Sequence, residues 1–364
     1  MKALVIVTAR FGYDGISNVV TNYYINQNHS MIKMDILTIN DIPIVLKQFI
    51  EQYGDHNYIM SYRNRNPIRY LYSLTKLVKK EQYDVVHVHG NSNTMFIELF
   101  AALLGGCKTR IAHSHNTRCD HPIINTMLYP FFKLVYTDGF ACGPEAGKWL
   151  FKNKKFTIIN NGIDLNRFTP NSKCRDYYRK KFNIDDKIVV GHVGRFSNQK
   201  NHKRLLSIFS AIKQINPQIA LLMWGEGELM EQIKNQANLI GGDIRFMGTS
   251  QEVEKCIQSV DLIIFPSIYE GLPLFLIEAQ ALKIPCLLSN TISSEVKITD
   301  CIFFESLNAS DNSWAKKALE IVAQFEYRNV IEDTHEAICK AGYDIHVNSQ
   351  ELFELYKHLI QKNI

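Results

Sequence analysis

The chain has 364 residues, 46% of them apolar and 21% charged, with a net charge of +5. These values fit a globular protein of two domains and exclude a disordered or fibrous chain. Eight cysteines stand singly without a Cys-x-x-Cys pair, so reduced thiols of a cytoplasmic protein are expected, not a zinc site or disulfide framework.

The run Lys2–Val7 ends before Arg10, too short for a secretory leader. The stretch 94–106 is too short to span a membrane and contains Glu98. In chain order, Ala3–Thr8 reads as a strand, followed by a loop with Gly12 and Gly15 and a helix over 16–28. Lys33–Leu37 is a second strand and Ile42–Gln52 a helix. Ile68, Leu71, Leu74, Leu77 and Val78 recur at helical spacing between Pro67 and Lys80. Asp84–Val88, Thr109–Ala112, Thr137–Ala141 and Phe156–Ile159 are further strands. A polar stretch over 171–186 separates the halves, and the pattern restarts with strand Ile188–Val193, helix His202–Ile215 and strand Ala220–Trp224. Helix Gly227–Asn238, strands near 244–247 and 262–265, helix 273–282 and strand Pro285–Ser289 complete it. Such alternation implies an α/β protein of two parallel, doubly wound sheets. The expected domains are 1–168 and 169–348, with a final helix, 349–364, packing back on the first.

Residues 1–165 hold 18 lysines and arginines against 12 acids, and residues 166–364 hold 23 against 24. The basic excess of the first half points to an anionic partner there. Arg69, Lys76 and Lys80 on helix 67–80, with Arg63 and Arg65 before it, fit either an anionic membrane surface or an ordinary solvated face. The apolar run 127–135 is assigned to core packing.

The most informative stretch runs from Pro266 to Glu278. A strand enters a loop holding Glu270 and Gly271, and a helix starting at Pro273 carries Glu278. Free N–H groups at that helix start attract an anion. Two acids eight residues apart across the helix start are too far separated to share a proton, and read as hydroxyl binders at two ends of a nucleotide-sugar. Gly194, Arg195 and Lys200 follow a strand at the end where open α/β sheets bind ligands. Their two cations suit a diphosphate, although solvated surface cations carry equal weight on spacing alone. Gly225-Glu226-Gly227 and Gly143–Lys148 lack the spacing of dinucleotide and phosphate-loop fingerprints. His87/His89 and His113/His115 each share a strand face; with no Cys or acid to complete a site, hydrogen bonding to a sugar is preferred over metal binding.

Together these residues resemble the retaining glycosyltransferases of family 4, and the resemblance spans essentially the whole chain. Its marks are Glu270/Glu278 as E-x7-E, Gly194-Arg195 with Lys200, Asn161-Gly162-Ile163-Asp164, Asp84–His89, and Arg110–Thr117. The last two are similar to the branch that builds bacterial capsule and exopolysaccharide. The resemblance implies a GT-B fold, two Rossmann-like domains facing a central cleft, with the acceptor on the first and the nucleotide-sugar on the second. It implies that Arg195 and Lys200 hold the diphosphate, Glu278 the ribose and Glu270 the sugar. Gly271, Leu272 and Leu274 would offer amides, with Pro273 shaping the turn. Gly194 and Gly15 would allow close approach, Met247 would border the base, and His115 would lie beside the sugar. The first loop departs from the pattern, with Asp14-Gly15 where Gly-Gly is common.

The implied reaction is retaining, metal-independent transfer of a hexose or N-acetylhexosamine from a nucleotide-sugar, by default a UDP-sugar, to a lipid-linked glycan acceptor. The donor is a substrate, and neither a cofactor nor nucleic acid is expected. The expected location is the cytoplasm, peripheral on the inner membrane face. A GT-B-fold nucleotide-sugar epimerase and a non-catalytic nucleotide-sugar-binding partner are the alternatives.

Overall fold

Short β-branched runs alternating with amphipathic helices give the chain two parallel sheets. The computed structural model describes residues 1–12, 15–119, 121–250, 252–270, 272–325 and 333–363. They fall into unit 1, residues 1–162 and 342–364, and unit 2, residues 163–341.

In unit 1 the strands are β1 (Lys2–Val7), β2 (Lys33–Thr38), β3 (Asn57–Ile59), β4 (Val85–Gly90), β5 (Thr109–Ser114), β6 (Asp138–Ala141) and β7 (Thr157–Ile158). They stand in the order β3-β2-β1-β4-β5-β6-β7, every neighbouring pair parallel. Helices α1 (Gly15–Asn26), α2 (Ile44–Tyr53), α3 (Pro67–Glu81), α4 (Phe96–Leu104), α5 (Pro122–Val135) and α6 (Pro144–Phe151) connect them. Alternation along the strands sends Leu4, Ile6, Val86, Val88 and Ala112 to one core, shared with Leu74, Val78, Leu99, Phe132 and Val135 of α3, α4 and α5.

Unit 2 contains β8 (Ile188–Val193), β9 (Ile219–Trp224), β10 (Asp243–Gly248), β11 (Leu262–Phe265), β12 (Cys286–Ser289) and β13 (Ile302–Glu305), in the parallel order β10-β9-β8-β11-β12-β13. Its helices are α7 (Ser172–Lys181), α8 (His202–Ile215), α9 (Met230–Ile240), α10 (Val253–Cys256), α11 (Leu274–Ala281), α12 (Asp311–Gln324) and α13 (Thr334–Lys340). The last helix, α14 (Ile345–Asn363), returns to unit 1. In each sheet the strand order reverses once, between β1 and β4 and between β8 and β11. Those reversals are the switch points where such sheets take ligands.

Four features differ from the sequence reading. The polar stretch over 171–186, for which no element is expected from the sequence, contains α7: Asn171 caps it by accepting from the Cys174 N–H at 3.0 Å. Arg175 and Arg179 then bind Asp261 and the carbonyls of Gln258, Ser259 and Val260.

The chain changes unit at 162/163 and 341/342, not at 168/169 and 348/349. Phe168 already belongs to unit 2, where its carbonyl binds His335 Nε2 at 3.0 Å. Asn348 already belongs to unit 1, where its amide donates to the Asn160 carbonyl at 3.3 Å. A Cβ on Gly162 would stand 2.7 Å from Ile345 Cα, so only glycine lets α14 lie this close.

The run 127–135 is not core. Phe132 and Val135 are buried, but Met127, Phe131 and Leu134 are 68%, 56% and 73% exposed, because only one stripe of α5 meets the sheet. Arg63 also leaves the solvated basic group: it is buried, its Nε and Nη2 donating to Glu98 at 2.6 and 3.2 Å.

Candidate active site

At the switch point of unit 2, β8 and β11 run into the loops 194–201 and 266–273. The loops are tied to each other: Ile268 N–H donates to the Gln199 carbonyl at 2.9 Å, and the Asn201 amide to the Pro266 carbonyl at 3.1 Å. Asn201 sits in the left-handed region, φ 56°, which ends the short turn Asn198–Lys200 and starts α8. Lys200 thereby meets Glu270, Nζ to Oε1 at 2.6 Å, with both side chains largely buried. Its ammonium also lies 4.4 Å from the centre of the Phe265 ring, a cation–π contact. Glu270 is held by the Ser267 hydroxyl at 3.3 Å and by a β-bridge to Ile292. Two residues 70 positions apart thus become one charged pair.

Arg195 is placed differently. Its side chain is 75% exposed and pairs with Glu228 at 3.2 Å, also exposed. Such a contact holds weakly and leaves the guanidinium open to an anion. Gly194 is closely packed: a Cβ there would lie 3.1 Å from Lys200 Cε and 3.3 Å from His192 Nε2, so those side chains would have to shift.

Helix α11 starts one residue later than expected, at Leu274, with Pro273 as its N-cap at φ −69°, ψ 114° and no side-chain cap. Its open first-turn N–H groups are anion donors. Leu272, Pro273 and Leu274 are partly buried there, and Gly271 lies outside the described residues. Glu278 is partly buried further along α11; loss of water raises its carboxyl to about 7, against the pull of Arg167 and with the help of Glu254. Met247 is partly buried in β10. Arg245 of the same strand is turned to Asp243, at 2.5 and 2.6 Å, and to the Phe182 carbonyl.

Sequence reasoning missed three supports of this site. Gly225, at φ +131°, would put a Cβ 2.1 Å from the Gly194 carbonyl oxygen, and Gly227 one 2.5 Å from that of Phe196. These glycines make room for the loop carrying Arg195, the reason for a Gly-x-Gly that fits no dinucleotide pattern. Arg167 binds Glu254 at 2.8 Å near Glu278, joined only by the fold. His192 and His202 lie behind Lys200, their pKa values lowered, that of His202 to about 4, chiefly by burial. His192 Nε2 and both His202 nitrogens are buried without a hydrogen-bond partner among the described residues.

In unit 1, His87 and His89 on β4 and His113 and His115 at β5 share the face under α1 and α14, with Tyr356 and Tyr23. Burial lowers all four imidazoles, His87 and His115 to about 3. Ligand atoms of His87, His89 and His113 lie within 4.8 Å of one another, but the rings face each other in hydrogen bonds, not a common centre. Gly15 opens α1, and a Cβ there would meet nothing within 4 Å; its neighbour Asp14 lies outside the described residues.

Residues 175–332 match the family described as Glycosyl transferases group 1. The chain is 29% identical over 380 residues to "Putative glycosyltransferase EpsF" of Bacillus subtilis (strain 168), covering 100% of this chain and 98% of the relative. It is 28% identical to the UDP-Gal:alpha-D-GlcNAc-diphosphoundecaprenol alpha-1,3-galactosyltransferase of Escherichia coli, over 60% of this chain and 61% of that one. The solved structure of Anabaena Alr3699/HepE in complex with UDP-glucose superposes with a TM-score of 0.80 at 15% identity, covering 98% of this chain and 100% of that one. The two parallel Rossmann-like sheets are those of the GT-B fold, and the sequence matches identify a glycosyltransferase. Within it, residues 175–332 are a Glycosyl transferases group 1 domain.

Proposed function

We propose that the protein moves a hexose or N-acetylhexosamine from a UDP-sugar to a lipid-linked glycan in polysaccharide biosynthesis, with retention of anomeric configuration and without a metal. The Lys200–Glu270 pair at the mouth of α11 carries this reading. A diphosphate entering there takes the Lys200 ammonium, the exposed Arg195 guanidinium and the first-turn amides. Glu270, released from Lys200, turns to the sugar hydroxyls. The same cations stabilise the leaving diphosphate as its charge grows, the role a metal would otherwise fill. The departing phosphate takes the acceptor proton, so no enzymic nucleophile is needed.

Glu278 binds the ribose, Met247 borders the base, and Gly194, Gly271, Leu272, Pro273 and Leu274 shape the phosphate and sugar pocket. The relatives' names, exemplified by the diphosphoundecaprenol-linked acceptor of the Escherichia coli enzyme, support the acceptor class, which falls to unit 1 with Gly15 and His115.

Among the described residues no helix is long and apolar enough to cross a membrane. A peripheral contact is the alternative route to a lipid-linked acceptor. Ile123, Ile124, Met127, Phe131 and Leu134 of α5 are exposed, as are Ile68 and Tyr72 of α3 beside Arg65, Arg69, Lys76, Lys79 and Lys80. Apolar side chains flanked by cations suit an anionic lipid surface.

The test is transfer from UDP-sugars to polyprenyl-diphosphate-linked saccharides in EDTA, with the product anomer read by NMR. Retention with activity intact is expected. An inverted product, or full activity in both Lys200→Ala and Glu270→Ala, would overturn the reading.

A further inference from the structure

The histidines of unit 1 form two hydrogen-bonded layers. In the inner layer the Tyr356 hydroxyl meets His87 Nδ1 at 2.6 Å, and His87 Nε2 meets His113 Nδ1 at 3.1 Å. In the outer layer His89 Nδ1 meets His115 Nε2 at 2.8 Å. The layers stack, with ring centroids 4.2 Å apart for His87 and His89 and 4.1 Å apart for His113 and His115. Strand register produces this: His89 pairs with His113 across β4 and β5, and His115 follows two residues on, past the strand end. His87, His89 and His113 are buried, and His115 alone is partly exposed.

A neutral imidazole has one donor nitrogen and one acceptor. Burial keeps all four rings neutral, so in each hydrogen-bonded pair one ring must donate and the other accept. His115 Nε2 is committed to His89, which leaves Nδ1 as the nitrogen His115 can offer a ligand. We propose that His89 is a positioning residue for the transfer, fixing the direction of the His115 ring and coupling the tautomer in which its Nδ1 meets the saccharide to that of His89. The inner layer, pinned from α14 by Tyr356, is the floor that stops His89 from turning away. This rests on the saccharide role given to His115 above.

His89 itself touches no substrate in this account, so its effect must travel through His115. In His89→Asn the amide can still reach His115 Nε2 as donor or acceptor, whereas His89→Leu keeps volume and loses the hydrogen bond. Nitrogen-15 NMR of histidine-labelled protein, with His115 assigned by substitution, reads the tautomer directly. Wild type should show one tautomer at His115, and His89→Leu a mixture. In His89→Leu, kcat should fall about 100-fold, the loss typical of a misplaced catalytic group, with KM for the UDP-sugar unchanged and Asn restoring most of the rate.

An unchanged kcat and a single tautomer in His89→Leu would overturn the proposal. So would equal losses in the Asn and Leu variants that track their melting temperatures, the mark of a purely structural residue. His115→Ala separates the levels. If it transfers sugar at the wild-type rate, the role given to His115 falls; if it is inactive while His89→Leu is not, only the positioning claim falls.

Discussion

At the switch point of unit 2 an ammonium and a carboxylate face each other across two laced loops, with a guanidinium in solvent beside them. At the C-terminal ends of β4 and β5, beside the switch point of unit 1, four neutral rings stack under two helices. The difference matches what each is proposed to hold. A diphosphate needs fixed charge that its binding can recruit, whereas a saccharide needs uncharged donors and acceptors of defined direction. A buried neutral imidazole supplies those without attracting phosphate.

Breaking the charged site should have the largest effect. Lys200→Ala and Glu270→Ala should each lower turnover about 100- to 1,000-fold, measured as nucleoside diphosphate released in the presence of acceptor. The next effect should come from Gly225→Ala. A Cβ 2.1 Å from the Gly194 carbonyl, on a backbone at φ +131°, cannot be relieved by turning a side chain. Melting temperature and UDP-sugar affinity should therefore fall together in that variant.

Glu278 and the unit 1 histidines should also answer pH with opposite signs. Glu278 binds its proton more tightly when folded, its pKa raised from 4.5 to about 7. Its contribution to stability is best below the ordinary value and is lost as pH rises through that window. Glu278→Gln should thus stabilise the ligand-free protein at pH 8, by on the order of 3 kcal/mol, while weakening UDP-sugar binding; denaturant titration and calorimetry read both. The unit 1 histidines run the other way. Their folded values are lowered, those of His87 and His115 to about 3, so stability is full above about 6.5 and lost as pH falls. Hydrogen-exchange protection factors at β4 and β5 should fall on acidification, and those at β8, which carries the buried His192, should fall with them.

The smallest expected effect is at the membrane face. Phe131→Asp, at an exposed position of α5, should leave melting unchanged and cut sedimentation with anionic phosphatidylglycerol vesicles by about tenfold. Equal partitioning of the variant would remove α5 from the contact.

How much of this was legible differs between the units for a physical reason. Strands β8 and β11 are continuous apolar runs, and the loops after them carry rare residue types at short spacing, so Arg195, Lys200, Glu270 and Glu278 could be picked from the chain. The Lys200–Glu270 contact itself could not, since it depends on strand order. In unit 1 the same periodicity located β4 and β5, and their alternate histidines were visible. Which His meets which follows from the register of His89 against His113, and no local signal encodes it. Helix α5 was misread because apolar residues cover most of its circumference, which leaves periodicity without a buried side to choose. Helix α7 was misread for the opposite reason: its ordering comes from Arg175 and Arg179 reaching Asp261, more than 80 residues away.

In the proposed function, Lys200 and Glu270 exchange each other for a nucleotide-sugar. Calorimetric titration of UDP-sugars into wild type, Lys200→Ala and Glu270→Ala tests it most directly. Binding to wild type and at least a tenfold weaker interaction in each folded variant are expected. Wild-type affinity retained in both would contradict it.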